Sequence, residues 1–421
     1  FDVDVGGIDA FLTKQGGFHL GGHDGIVKIL AGAFFGGARS APSQSKYQSR
    51  KDQSEQGLYV FHVHFLVKVE KRRILVVPLV VFLHHFVLLC PSDLFSVMAV
   101  FTKVSTAEAA SLAQQLGLGE LTHLRGITTG IENTNYFLTT ERGEYVLTLF
   151  ERLGFEQLPF YLHLMKHLAD RGLLVPDPQG NAQGEILHSV KGKPTAVVNK
   201  LRGSHRLAPD SFHCEQIGYT LARMHEAGRD FPLYQPNLRG LSWWTETVPL
   251  VLPFLSATQS ELLRSELSYA QSMAASSSYQ QLPRGAIHAD LFRDNVMFDG
   301  LPGREQVSGF FDFYFAGVDT FLFDLAVCLN DWCIDLETGR LDHERAEAMV
   351  NAYQQVRSLN GAESRLLPGM LRSAALRFWV SRLWDLHLPR EASVLQAHDP
   401  RHFERVLRQR VEIPGIRCPL N

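Results

Sequence analysis

Three side chains and their spacing carry the first chemistry this sequence offers. His288-Ala289-Asp290 is followed by Asn295, and an apolar run over residues 307–311 ends in Asp312-Phe313. A carboxylate and a carboxamide on one tight turn can do two things at once. Asp290 can accept the proton of an attacking hydroxyl while the Asn295 oxygen reaches a metal ion held on phosphates. Residues 299–303, Asp-Gly-Leu-Pro-Gly, form a turn, so the flanking strands read as a hairpin that returns Asp312 beside Asn295. Taken singly, a turn Asp or Asn caps backbone amides and a strand-end Asp is commonplace. The set at this spacing predicts phosphoryl transfer, with Asp290 as the base and Mg2+ on Asn295 and Asp312.

The elements that must position these groups follow from residue 98 onward. Ser105-Thr106-Ala107-Glu108 opens a helix, with Ala109, Leu112 and Leu116 on its apolar face. Residues 121–124, 136–138 and 145–150 read as a three-stranded antiparallel meander. The loop between its first two strands runs from Gly126 to Asn135. Gly126 and Gly130 let backbone amides approach phosphates, and Thr129, Asn133 and Asn135 can add hydrogen bonds. Two glycines in a hairpin are ordinarily only a turn; the position ahead of the Asp290 loop is what makes these five residues nucleotide-site candidates. The third strand carries Thr148 where a phosphate-holding Lys is expected. Arg152 lies just beyond it, as a substitute or as a solvated surface residue. A helix over 155–171 closes at Gly172, strands follow at 185–187 and 195–198, and residues 199–204 read as a link between lobes.

The remainder is mostly helical, over 210–227, 256–276, 340–359 and 366–386. His225 reads as a packed or capping histidine. Asp324 stands at a helix start, where its carboxylate anchors the Asp290 loop by hydrogen bonds. Arg239 with Trp243 and Trp244 suits a small carboxylate-bearing substrate and the wall of its pocket; packing of the tryptophans between helices is the competing reading.

Composition bounds the class. The chain has 421 residues, 45% hydrophobic and 20% charged, enough for a large core in two or three domains. A net charge of −3 gives no nucleic-acid footprint. Cys90, Cys214, Cys328, Cys333 and Cys418 form no Cys-x-x-Cys pair, which fits a reduced, cytoplasmic chain. Residues 1–97 differ from the rest: paired glycines show no strand or helix period, residues 40–56 are polar, and residues 58–90 are apolar behind Lys71-Arg72-Arg73. A membrane anchor would be short, broken by Pro78 and burdened with His84 and His85. Met98 is the first methionine, so residues 1–97 are expected to be a non-native or disordered upstream extension, without stable membrane association.

His288-Ala289-Asp290 through Asn295, with Asp312-Phe313 and Asp324-Leu325-Ala326, resembles the aminoglycoside phosphotransferase and choline kinase branch of the protein-kinase-like fold. Gly130-Ile131-Glu132-Asn133-Thr134-Asn135-Tyr136 and residues 145–151 (YVLTLFE) are similar to bacterial homoserine kinases of that branch, and Asn237-Leu238-Arg239 with Trp243-Trp244 adds to the likeness. It runs from Met98 to the C-terminus and covers none of residues 1–97. Thr148 departs from the general kinase pattern and suits this subgroup. The resemblance implies an α+β, two-lobed fold: a small antiparallel-sheet N-lobe over 98–204 and a mostly helical C-lobe over 205–421. It implies ATP and Mg2+ as cofactors and L-homoserine as the small-molecule substrate, phosphorylated on its hydroxyl on the way to threonine. Arg239 would then meet the substrate carboxylate. Competing readings are a kinase for choline, methylthioribose or an aminoglycoside, and a nucleotide-binding pseudokinase. A polycationic aminoglycoside needs an acidic wall, and near Trp243 only Glu246 offers one. A pseudokinase has no need of Asp290, Asn295 and Asp312 together.

Overall fold

The computed structural model describes residues 9–12, 18–22, 25–29, 60–68, 74–82, 102–127, 133–388 and 398–413. Two compact units result, Phe1–Ser96 and Val97–Asn421. In the first, β1 (Asp9–Leu12), β2 (Phe18–Gly22) and β3 (Gly25–Ile29) form an antiparallel sheet, and β4 (Val60–Lys68) pairs with β5 (Ile74–Phe82). Short strands therefore occupy part of the glycine-punctuated stretch in which the sequence shows no period. The other residues of 1–97, on which the expected non-native or disordered extension also rests, lie outside the described residues.

The second unit opens with α1 (Thr106–Gln115). The Ser105 hydroxyl accepts the Glu108 N–H and the Glu108 carboxylate accepts the Ser105 N–H at 2.8 Å, so of Ser105 and Thr106, either of which can cap the expected helix, Ser105 is the cap. Ala109, Leu112 and Ala113 pack onto Tyr136, Leu138, Leu147 and Leu149 of the sheet formed by β6 (Leu121–Ile127), β7 (Thr134–Thr140) and β8 (Gly143–Leu149). The two-residue period of a strand then turns Asn135, Phe137 and Thr148 to the opposite face. α2 (Pro159–Asp170) starts at a proline, whose missing N–H is harmless in a first turn, and ends before Gly172 at φ +75°.

β9 (His188–Val190) and β10 (Lys193–Asn199) complete a five-stranded sheet in the order β6-β7-β8-β10-β9. The strand expected at 185–187 is displaced to β9. Lys191 (φ 54°) and Gly192 (φ 75°) make a two-residue left-handed turn that fixes the hairpin there. Glu185 instead closes a loop, its N–H donating to Asn181 Oδ1 at 2.9 Å.

The C-lobe contains α3 (Ser211–Ala227), α4 (Leu241–Val251), α5 (Ala257–Ala274) and the single turn α6 (Ser277–Gln280). Next come β11 (Arg284–Ile287), the hairpin β12 (Val296–Asp299) and β13 (Gln306–Phe310), and β14 (Gly317–Thr320), which pairs back onto β11. α7 (Phe321–Trp332) is buried along its whole length. α8 (His343–Val356), α9 (Gly361–His387) and α10 (Arg401–Glu412) surround it. α9 begins earlier than its apolar pattern suggests, because Asn360 and Glu363 form a capping box. Among the described residues no helix is long and apolar enough to cross a membrane.

The inter-lobe link is stitched to the β12–β13 hairpin. Ser204 and Phe298 exchange N–H···O bonds, both at 2.9 Å, and the Ser308 hydroxyl donates to Arg202 O at 2.6 Å. Gly203 permits this approach: its φ is +94°, and a Cβ there would stand 2.1 Å from the Phe298 carbonyl oxygen. Gly203→Val is expected to destabilise the protein by about 2 kcal/mol or more. Urea unfolding checks this; an unchanged midpoint would show that the link is not held by the contact.

Candidate active site

The turn from β11 to β12 has no regular backbone pairing of its own, and a buried carboxylate supplies it. Asp324, fully buried in the first turn of α7, accepts the N–H of His288 at 2.8 Å and of Ala289 at 2.7 Å. Ala289 sits at φ 64°, a left-handed conformation that costs a non-glycine residue about 1–2 kcal/mol. The two bonds hold it there. His225 donates Nε2–H to Asp324 at 3.0 Å and accepts the Tyr353 hydroxyl at Nδ1 at 2.7 Å. Arg357 donates to the same hydroxyl at 3.0 Å and to Glu363 at 2.6 Å, and Glu363 caps α9. A continuous buried chain of hydrogen bonds therefore joins the turn to the start of α9. Burial opposes charge on Asp324, but the His225 hydrogen bond and the backbone N–H of His288 hold its carboxyl below the ordinary aspartate value. Burial also lowers His225 and His288. His288 is neutral in this geometry, donating Nε2–H to Phe311 O at 2.9 Å and accepting the Asp290 N–H at Nδ1 at 3.3 Å.

The three residues singled out by spacing meet here. Asn295 Nδ2 donates to Asp290 O at 2.8 Å and reaches Asp290 Oδ2 at 3.4 Å. The N–H of Phe311 donates to Asn295 O at 3.0 Å, which draws Asp312 alongside. With Nδ2 turned to Asp290, Asn295 Oδ1 is the end a cation would take. One carboxylate and one carboxamide oxygen suit Mg2+, which keeps most of its coordination for phosphates and water. Asp312 has φ 68° and ψ 59°, so both Asp312 and Ala289 hold left-handed backbone at the site. Burial, together with the charges of Asp312, Asp294 and Asp331, pushes the Asp290 carboxyl well up, against the pull of Arg377. Tyr314, where many kinases have Gly, packs edge-on against Phe150 at 5.3 Å and Tyr161 at 5.8 Å, seating the turn after Asp312 between lobes.

The other expected site residues fall in two groups. In the N-lobe, Gly126 pairs with Tyr136, the Asn133 side chain accepts the Glu151 N–H at 3.4 Å, and Asn135 accepts the Thr148 hydroxyl at 2.7 Å. Thr148 thus stands beside Asn135 at the place expected for a Lys. Thr129 and Gly130 lie outside the described residues. In the C-lobe the two tryptophans separate. Trp244 is buried and donates its indole N–H to Arg239 O at 2.5 Å, so it orders the loop. Trp243 is half-buried, with the Arg239 guanidinium stacked 4.2 Å from its ring. Arg377 of α9 escaped the sequence reading. Its signal was a lone charge inside the apolar run 374–380.

The profile of the phosphotransferase enzyme family matches residues 123–359. A homoserine kinase of Polaromonas naphthalenivorans is 63% identical over 319 residues, all of that protein and 76% of this chain. Another, of Janthinobacterium sp., is 55% identical over 315 residues, 97% of that protein and 75% of this chain. The chain belongs to the phosphotransferase enzyme family, in its homoserine kinase branch. Solved members agree with the two-lobed fold. An ethanolamine kinase of Plasmodium vivax has a TM-score of 0.51 at 13% identity, covering 69% of this chain and 82% of that one. A putative aminoglycoside phosphotransferase of Ralstonia eutropha has a TM-score of 0.52 at 17% identity, covering 73% and 96%. The expected α+β kinase-like architecture of this phosphotransferase is thereby established.

Asp324→Ala would leave the N–H groups of His288 and Ala289 buried without their acceptor. The expected loss is about 3–5 kcal/mol in chemical unfolding, with Asp324→Asn intermediate because one of its two side-chain atoms can still accept. Equal stability of Asp324→Ala and wild type would show that the turn is held by other contacts.

Proposed function

We propose that this chain transfers the γ-phosphoryl group of ATP to the side-chain hydroxyl of L-homoserine, giving O-phospho-L-homoserine on the way to threonine, with Asp290 as the catalytic base. The observation that carries the assignment of Asp290 is its place on one clamped turn with Asn295, opposite Asp312. The match to homoserine kinases over their full length supports the substrate.

Asp290 accepts the hydroxyl proton as the oxygen attacks. Asn295 and Asp312 are the residues that would hold Mg2+. An ion held there would supply positive charge against the negative charge that grows on the transferring phosphoryl group. The N-lobe face with Asn135 and Thr148, and the loop from Gly126 through Thr129 and Gly130 to Asn133, hold the nucleotide. Arg239, stacked on Trp243, takes part in binding the amino acid, and Trp244 keeps the Arg239 loop in place. His288 keeps the turn in shape and moves no proton. N-lobe residues 98–204 and C-lobe residues 205–421 close around the two substrates, whose chemistry puts the reaction in the cytoplasm.

ADP release with Mg2+ and ATP tests the reading, with homoserine, choline and an aminoglycoside added separately. Turnover is expected with homoserine alone. Asp290→Ala is expected to lower kcat by about 10²–10⁴-fold with nucleotide binding retained. Asp312→Asn is expected to raise the Mg2+ concentration needed. Turnover with another acceptor, or an active Asp290→Ala variant, would overturn the assignment.

A further inference from the structure

Arg377 is 2% exposed in the middle of α9, and its Nε and Nη2 atoms meet no hydrogen-bond acceptor among the described residues. A buried guanidinium in that state is expensive unless an acceptor beyond the described residues completes it. Its planar faces are occupied: the guanidinium carbon lies 3.7 Å from the Phe378 ring centroid and 4.8 Å from that of Phe315. Those rings offset part of the charge but leave the N–H edge unmatched.

The surroundings say where that edge belongs. Phe315 ends the short turn that begins at Asp312. The Arg239 guanidinium lies 5.9 Å from the same ring and 4.2 Å from Trp243. Trp243 meets Trp384 of α9 at 6.3 Å, and the indole N–H of Trp384 is likewise buried without an acceptor among the described residues. Residues 377 and 384 are about two helical turns apart, hence on the same side of α9. Arg377 and Arg239 thus share the Phe315 ring, Trp243 links Arg239 to Trp384, and Asp290 and Asp385 lie within electrostatic reach of Arg377. The unmatched donors there, Arg377 Nε and Nη2 and Trp384 Nε1, suit an anion. A guanidinium fork fits a carboxylate through two parallel bonds.

We infer that Arg377 receives the carboxylate of the acceptor amino acid, so that α9 selects hydroxyl substrates carrying a carboxylate and rejects amino alcohols. This rests on the homoserine reading above and adds the group that determines specificity. Burial pulls the Arg377 guanidinium down to about 10, with Asp290 and Asp385 acting the other way.

The test compares homoserine with 2-amino-1,4-butanediol, in which a hydroxymethyl group replaces the carboxylate, using wild type, Arg377→Gln and Arg377→Lys. The wild type is expected to prefer homoserine. Arg377→Gln should lower kcat/KM for homoserine about 10–100-fold, mainly through KM, and change that for the diol by less than about 3-fold. Arg377→Lys keeps the charge and loses the fork, so its loss should be intermediate. Melting temperatures check folding, and the lysine variant carries the comparison should the glutamine variant unfold. Equal losses for both substrates would overturn the inference, assigning Arg377 to Asp290 or to packing. Equal losses with a raised KM for ATP would put the guanidinium on the transferred phosphate. A wild type that uses both acceptors equally would also overturn it, while leaving phosphorylation of homoserine intact. A folded wild type inactive on homoserine would remove the activity reading and the inference with it.

Discussion

Two backbone N–H groups on one buried carboxylate hold the functional end of this molecule together. The segment from His288 to Asn295 has to leave β11, present a carboxylate and a carboxamide in one direction, and enter β12. No sheet ladder can be formed along it, so its backbone donors need side-chain acceptors. Asp324 provides them to His288 and Ala289, and Asp331 does the same for Arg293, accepting its N–H at 2.8 Å. Both carboxylates lie on α7, which is buried along its whole length and therefore has little freedom to shift. The turn inherits its rigidity from the centre of the C-lobe, and catalysis by positioning requires that rigidity.

The same network reaches the helix that carries Arg377. From Asp324 the hydrogen bonds run through His225, Tyr353 and Arg357 to Glu363 at the head of α9, and Arg377 and Trp384 lie further along that helix. One helix thus connects the anchor of the Asp290 turn with Arg377 and Trp384, the proposed substrate end. The N-lobe is tied in at two places, through Ser204 on Phe298 and through Tyr314 between Phe150 and Tyr161. Both ties land close to Asn295 and Asp312, so a shift of the nucleotide face would be felt first at those two residues.

Much of this was legible in the sequence because it is local. The Asp290-to-Asn295 spacing, the turn at 299–303 and the Ser105 capping box each involve a few neighbouring residues whose chemistry admits few conformations. Asp324 was readable as an anchor because it stands at a helix start, just after the Asp290 loop and Asp312 in the chain. What escaped depends on distant partners. The position of β9 was decided by the left-handed turn at Lys191-Gly192 and by Asn181, and no apolar period marks either. Arg377 stands among Ala374, Ala375, Leu376, Phe378, Trp379 and Val380, and a charge in such a run is itself a signal. Its meaning emerged only when folding set Phe315 and Arg239 beside it. Trp243 and Trp244 look equivalent as a pair. The helical rotation between consecutive residues sends one to the core and leaves the other beside Arg239.

The most direct measurement is a crystal structure of the protein with L-homoserine, Mg2+ and a non-hydrolysable ATP analogue. The homoserine hydroxyl is predicted within about 2.6–3.2 Å of the Asp290 carboxylate, with the ion held by Asn295 and Asp312. A hydroxyl presented to another carboxylate, or an ion bound away from both of those residues, would contradict the assignment at its centre.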